Sequence, residues 1–231
     1  MDKKMRLDKF LADMSLGTRS EVKKIIASKR IKVNGLIVNK ADYQVKEADE
    51  IYFDDQLINY VDYEYYVLNK PKGYICATED KKYPVVMELI NSKRKDLVPI
   101  GRLDKDTEGL LLISNDGKLN HHLLSPKSHV IKKYYVEVDT KIPKNAEEIF
   151  AREMDLGDFI AKPALFERIN ETSAYLSITE GKYHQVKRMF EKIGCAVTYL
   201  KRMEFKNLNL DGLDVGQYRS LTEEEISNLK N

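Results

Sequence analysis

The chain has 231 residues, with 39 Lys and Arg against 37 Asp and Glu for a formal charge of +2, two cysteines and no tryptophan. That length allows one large domain or two small ones around a sizeable core, and the near-neutral total excludes a uniformly basic protein of the histone kind. Cys76 and Cys195 alone make neither a disulfide framework nor a paired-cysteine zinc site, which points to buried thiols in a reducing compartment.

The opening stretch has no apolar signal-like core, and no apolar run approaches the roughly 18 residues of a membrane span. A soluble, cytoplasmic protein without membrane contact is therefore expected. Charge is unevenly placed. Across residues 3–40, eleven basic residues face Asp8, Asp13 and Glu21, a net of +8 that leaves −6 for the remainder. Such asymmetry implies a basic module joined to a body of different purpose.

Leu7, Phe10, Leu11 and Met14 fall at helical spacing. Gly17 ends that helix, and Thr18-x-x-Glu21 has the form of a capping box opening a second, with Val22, Ile25 and Ile26 as its apolar face. Ile31 and Val33 alternate with Lys32 into Asn34-Gly35, a two-residue hairpin turn. Two short helices and a hairpin dressed with Lys and Arg suit a compact RNA-facing unit, and they equally suit a solvated charged face. Residues 51–53 read as a short strand, and Asp54-Asp55 together with 59–62 as a linker.

From Tyr63 the pattern turns strand-rich. Strands are predicted at 65–68, 110–113, 134–138, 165–169 and 174–179, with a turn at 69–73 and a second apolar run at 74–77. Pro84 opens a short helix, and further helices are expected at 145–152, 184–193 and 222–230, the last capped by Thr222-x-x-Glu225. This is a mixed α+β domain of about 170 residues.

Four histidines, two of them adjacent (His121 and His122), lack the spacing of a metal site. No nucleophile elbow, phosphate-binding glycine loop or dinucleotide fingerprint is present, so chemistry without metal or cofactor is expected. Two segments remain. Gly101-Arg102-Leu103-Asp104-Lys105-Asp106-Thr107-Glu108-Gly109 is a charge-dense loop before an apolar strand, where a carboxylate is either held against cations or bonded to loop amides. Glu180 to Phe190 runs from a strand end into a helix start with Lys182, Lys187 and Arg188, either an anion-friendly corner or a basic surface turn.

Taken together, these segments resemble a pseudouridine synthase of the RsuA family. Met5 to Leu11 through Asn34-Gly35 is similar to the S4 RNA-binding domain that opens those enzymes. Gly101-Arg102-Leu103-Asp104-x-Asp106-Thr107-x-Gly109-Leu110-Leu111-Leu112 is similar to their catalytic signature. Asn69-Lys70-Pro71-x-Gly73 and Glu180-Gly181-x-Tyr183-His184-Gln185-Val186-Lys187-Arg188-Met189 match the flanking motifs. The resemblance implies an α+β chain: a small S4 domain of the αL type over 1–58, a linker at 59–62, and a largely antiparallel catalytic domain over 63–231.

It also implies roles. Asp104 would attack the target uridine, Lys187 would be its basic partner with Arg188 as the alternative, Tyr134 would stack on the uracil, and Arg102 would fill the gap left by the extruded base. Tyr134 also reads as an ordinary strand-core aromatic beside Tyr135. Arg6, Lys9, Arg19, Lys23, Lys29, Arg30 and Lys32, together with Arg188, would contact RNA. The Tyr-His-Gln-Val-Lys form of the last motif points to 16S rRNA, free or in an assembling small subunit, with the protein acting as a monomer in ribosome biogenesis. A 23S rRNA enzyme of the same family and a non-catalytic assembly factor are the rival readings.

Overall fold

A computed structural model describes residues 4–46, 48–58, 63–92 and 94–231; the expected linker, 59–62, lies outside them. The chain divides into two compact units, Met1–Tyr63 with Asn91–Leu97, and Glu64–Ile90 with Val98–Asn231.

The first unit contains β1 (Lys4–Arg6), α1 (Leu7–Asp13), α2 (Arg19–Ala27), β2 (Ile31–Val33), β3 (Leu36–Ile37), β4 (Gln44–Lys46), β5 (Ile51–Phe53) and β6 (Gln56–Leu57). β1 pairs with β4, and the other strands form a sheet in the order β3-β2-β5-β6. The capping box forms as the spacing predicts: Thr18 Oγ1 accepts from the Glu21 amide, and Glu21 Oε2 accepts from the Thr18 amide at 2.7 Å. Leu7, Phe10, Leu11, Val22, Ile26, Ile31 and Val33 bury together in one core.

Asn34 and Gly35 turn β2 into β3 with φ of +49° and +78°, the left-handed pair that a two-residue hairpin needs. Asp54 and Asp55, expected in the linker, instead form a second such turn between β5 and β6, with φ of +48° and +63°. Short polar side chains tolerate this backbone better than most, and the two carboxylates face Arg30 and Lys32 across the sheet.

The second unit contains β7 (Tyr65–Lys70), β8 (Val98–Ile100), β9 (Glu108–Ser114), α3 (Gly117–Leu124), β10 (Lys132–Val138), α4 (Ala146–Phe150), β11 (Met154–Asp155), β12 (Ile160–Ala161), β13 (Leu165–Arg168), β14 (Ser173–Ile178), α5 (Gln185–Lys192), β15 (Val197–Phe205), β16 (Tyr218–Ser220) and α6 (Glu223–Lys230). Its main sheet runs β13-β14-β10-β15-β9-β7-β16, with β8 also on β9. Every pairing is antiparallel except β15 on β9. The apolar run 74–77 makes no strand; Ile75 forms a single bridge to Val85.

β9 is buried on both faces, which is why its sequence is an unbroken apolar run rather than an alternation. Leu110 and Leu112 join Val67, Ile100, Leu119, Leu123 and Phe205 in one cluster, while Leu111 and Ile113 are equally buried. Elsewhere Phe150 packs on Phe166 and Phe190 at centroid distances of 5.3 and 5.0 Å, seating α4 and α5.

Candidate active site

The loop between β8 and β9 carries Asp104, and the surrounding chain holds its backbone from several directions. Lys70, at the end of β7 and fully buried, donates from Nζ to the carbonyl oxygens of Asp104 at 3.0 Å, Thr107 at 2.8 Å and Pro71 at 3.2 Å. Burial pushes its pKa down, and the carboxylates of Asp106, Asp104 and Glu108 oppose that. Cys76 Sγ accepts from the Leu103 amide at 3.3 Å, and the Gly73 amide donates to the Lys105 carbonyl at 2.8 Å. The Asn69 to Gly73 motif was legible in the sequence; the buried ammonium tying the loop was not.

Gly109 closes the loop. Its φ is +104°, and a Cβ there would lie 2.2 Å from the Arg202 carbonyl oxygen. The parallel contact of β9 with β15, Gly109 beside Arg202, exists only because this residue has no side chain.

The side chains then converge. Lys187, from the first half of α5, places Nζ 3.3 Å from an Asp104 carboxylate oxygen and 2.6 Å from Asp106. His184 Nε2 lies 3.4 Å from the other Asp104 oxygen. His184 adopts φ +51° immediately before α5, a left-handed backbone costing about 1–3 kcal/mol outside glycine, and its ring stacks on Tyr183 at 3.8 Å. Desolvation would raise the Asp106 carboxyl, but the Lys187 hydrogen bond and charge hold it below its ordinary value.

Asp104, Lys187, Arg102, Tyr134 and His184 line one cleft of about 420 Å³. Tyr134 is 7% exposed on β10, so it is both a strand-core aromatic and a wall of the cleft. Arg102 is exposed two residues ahead of Asp104. Arg188 turns elsewhere: its guanidinium pairs with Asp158, donates to the Leu156 carbonyl and lies over the Phe159 ring. Between the two candidates for the partner of Asp104, the geometry brings Lys187. His184, given no role from sequence, is the added member; its place in the motif was the available signal.

In the first unit Arg6 pairs with Asp8 at 2.8 Å, Lys9 with Asp13 at 3.5 Å, and Arg30 and Lys32 with Asp54 and Asp55. Arg19, Lys23 and Lys29 make no ion pair among the described residues. Extending the count from residue 40 to 58 gives 12 basic and 9 acidic residues, a net of +3, so the +8 is local rather than a property of the unit. No cluster of three or more His, Cys, Asp or Glu able to hold a metal occurs among the described residues, and no described helix is long and apolar enough to cross a membrane.

Asp104, Lys187, His184 and Tyr134 thus share one cleft on a largely antiparallel sheet. The RNA pseudouridylate synthase family model matches residues 64–192, and the S4 domain model matches 5–51. These matches define the class: an RNA pseudouridine synthase, an isomerase, with an S4 RNA-binding domain.

Relatives narrow this further. The chain is 39% identical to ribosomal small subunit pseudouridine synthase A of Haemophilus influenzae, covering 97% of this chain and 99% of that one. It is 41% identical to an uncharacterised RNA pseudouridine synthase of Bacillus subtilis, over 96% and 97%. A crystal structure of a pseudouridylate synthase superposes with a TM-score of 0.70 at 37% identity, covering 97% of this chain and 99% of that one. The chain belongs to the RsuA family of pseudouridine synthases.

Proposed function

We propose that this enzyme isomerises one uridine of 16S rRNA to pseudouridine, with Asp104 as nucleophile and without cofactor. The observation that carries the reading is the Asp104–Lys187 pair inside the cleft walled by Tyr134, on a chain whose relatives include a small-subunit enzyme. The Asp104 carboxylate bonds to the sugar C1′ as the N1–C1′ bond breaks and the electron pair leaves on the base. The base turns while held against Tyr134, C5 bonds to C1′ as the bond to Asp104 breaks, and the C5 proton is lost while N1 takes one up, so that the atoms balance. Lys187 sets its ammonium 3.3 Å from the Asp104 carboxylate, a point charge that holds the nucleophile in place at the cleft. Arg102 holds the space left by the flipped nucleotide.

The S4 domain, taken as residues 1–58, supplies phosphate contacts that set register rather than chemistry. The catalytic domain is taken as 63–231. The protein acts as a monomer in the cytoplasm, on 16S rRNA or the assembling small subunit, as part of ribosome biogenesis. The test is pseudouridine mapping of both rRNAs in a deletion strain: a single lost 16S site supports the proposal, and a lost 23S site with 16S intact ends it. The rival reading of a non-catalytic assembly factor predicts no lost site in either RNA.

A further inference from the structure

Beside the Asp104 cleft lies a second one of about 920 Å³, sharing Arg102, Tyr134 and Lys182 with the first. Its floor is made by two cations that the catalytic reading does not use. Arg202 is 2% exposed on β15, next to Tyr134 in the β10 register. Its Nε donates to the Leu110 carbonyl at 2.7 Å, but Nη2 is buried with no hydrogen-bond partner among the described residues. Lys132 is 8% exposed on β10, and Nζ donates to the Val130 carbonyl at 2.9 Å. Both cations lie against the Phe205 ring, Lys132 at 5.6 Å and Arg202 at 5.2 Å.

Neither has a carboxylate within ion-pair distance among the described residues. Buried charges are ordinarily paired, so two neighbouring unpaired cations form an electrostatic deficit that a ligand can fill. Burial, and then the charge of Arg202, brings the Lys132 pKa from 10.5 to about 8, with Glu180 acting the other way. Exposed Arg102, Lys162 and Lys182 add cations around the same opening. Glu180 is the one acid in the lining, and its Oε2 is already occupied by the Lys162 amide and Gln185 Nε2.

We propose that this second cleft is a phosphate subsite, with Lys132 and Arg202 as its floor, and that its occupant is a backbone phosphate of the RNA strand whose uridine enters the Asp104 cleft. The proposal rests on the reading of the Asp104 cleft as the uridine site. A flipped uridine stays covalently flanked by phosphates, and a neighbouring cleft that shares its walls is where one of them falls. Arginine and lysine supply complementary contacts: a planar fork for two non-bridging oxygens and a point charge for the net anion.

The test compares wild type, Lys132→Met and Lys132→Arg as full chains, on 16S and 23S transcripts carrying 5-tritiated uridine, across a salt series. On whichever RNA is modified, Lys132→Met is expected to raise KM about 5- to 10-fold at 0.1 M salt, well beyond any fall in kcat. It is also expected to flatten the log KM against log salt slope by about 0.7–0.9, the value of one phosphate contact. Lys132→Arg is expected to restore most of both, and thermal unfolding of Lys132→Met is expected at or above the wild-type temperature. Unchanged KM and slope in a folded Lys132→Met enzyme overturn the proposal.

Should Lys132→Met not fold, Lys162→Gln carries the test, and an unchanged slope there overturns it. Inorganic phosphate is titrated as an inhibitor in parallel; if Lys132→Met loses phosphate inhibition while keeping the RNA slope, the cleft takes free phosphate and the RNA assignment is wrong. Wild-type release from 23S rather than 16S ends the substrate reading but leaves the salt comparison intact.

Discussion

The ammonium of Lys70 donates to the main-chain carbonyl of Asp104 at 3.0 Å, so one buried cation fixes the backbone of the residue whose carboxylate faces the cleft. The carbonyls of Thr107, Pro71 and Lys105 share that ammonium. Lys70→Met leaves these acceptors buried and unpaired, at a cost of about 2–3 kcal/mol. The expected outcome is a lower unfolding midpoint and a kcat loss larger than the KM change, because the loop still exists but no longer presents Asp104 in one position. Denaturant unfolding and single-turnover tritium release measure the two effects.

Asp104 and Lys187 make separate predictions. Asp104→Asn removes the proposed nucleophile while conserving shape, and the expected loss in tritium release is at least about 10³-fold. Lys187→Met removes the cation that stabilises the charged carboxylate and is expected to cost about 10²-fold. Lys187→Arg should recover part of that. Undiminished release by Asp104→Asn would end the catalytic assignment.

The residues that were hard to read from sequence are those whose chemistry belongs to their surroundings. Local signals were clear where the physics is local: the Thr18 and Thr222 capping boxes, the Asn34-Gly35 turn and the doubly buried β9 all form as expected. β15, central in the sheet, carries Lys201, Arg202 and Glu204 and shows no clean alternation. Arg202 is buried there only because Phe205, Leu110 and the second cleft surround it. α3 begins at a glycine and carries two histidines, and Asp116, which accepts from the Lys118 and Leu119 amides, is the cap that starts it. The candidate catalytic side chains were named from motifs, but their convergence depends on a parallel strand contact through Gly109 that no short-range pattern encodes.

Gly109→Ala tests that contact. The added methyl meets the Arg202 backbone, which cannot rotate away, and φ of +104° is itself unfavourable with a side chain. Overpacking and backbone strain together are expected to cost at least about 3 kcal/mol. The measurement is the chemical denaturation midpoint; an alanine variant within about 1 kcal/mol of wild type would mean the two strands separate easily.

The S4 cations should fall into two groups. Arg19 and Lys23, one helical turn apart and free of ion pairs among the described residues, are available to phosphates. Arg30 and Lys32 already face Asp54 and Asp55. Reversing Arg19 and Lys23 to Glu is expected to weaken rRNA binding and reduce the log–log salt slope by about 0.7–0.9 per lost contact. Neutralising Arg30 and Lys32 to Gln should have the smaller effect. Filter binding across a salt series separates them, and an unchanged slope for the first pair would place the RNA elsewhere.

Lys132 makes a prediction about stability that is independent of RNA. Its folded pKa, about 8, lies below its ordinary 10.5, so the unfolded chain binds the proton more tightly. Below about pH 8 both states are protonated and the fold carries the full burden of the buried charge. As pH rises from about 8 to 10.5 the folded state releases the proton first, so this group's contribution to stability climbs with pH. Other groups titrate in the same range, so the measurement is the difference between wild type and Lys132→Met in unfolding free energy across pH 7–11. The variant is expected to be the more stable at pH 7, with the gap closing toward pH 10.5. A gap of constant size would mean that Lys132 titrates alike in the folded and unfolded chains, and that its burial does not weaken its hold on the proton.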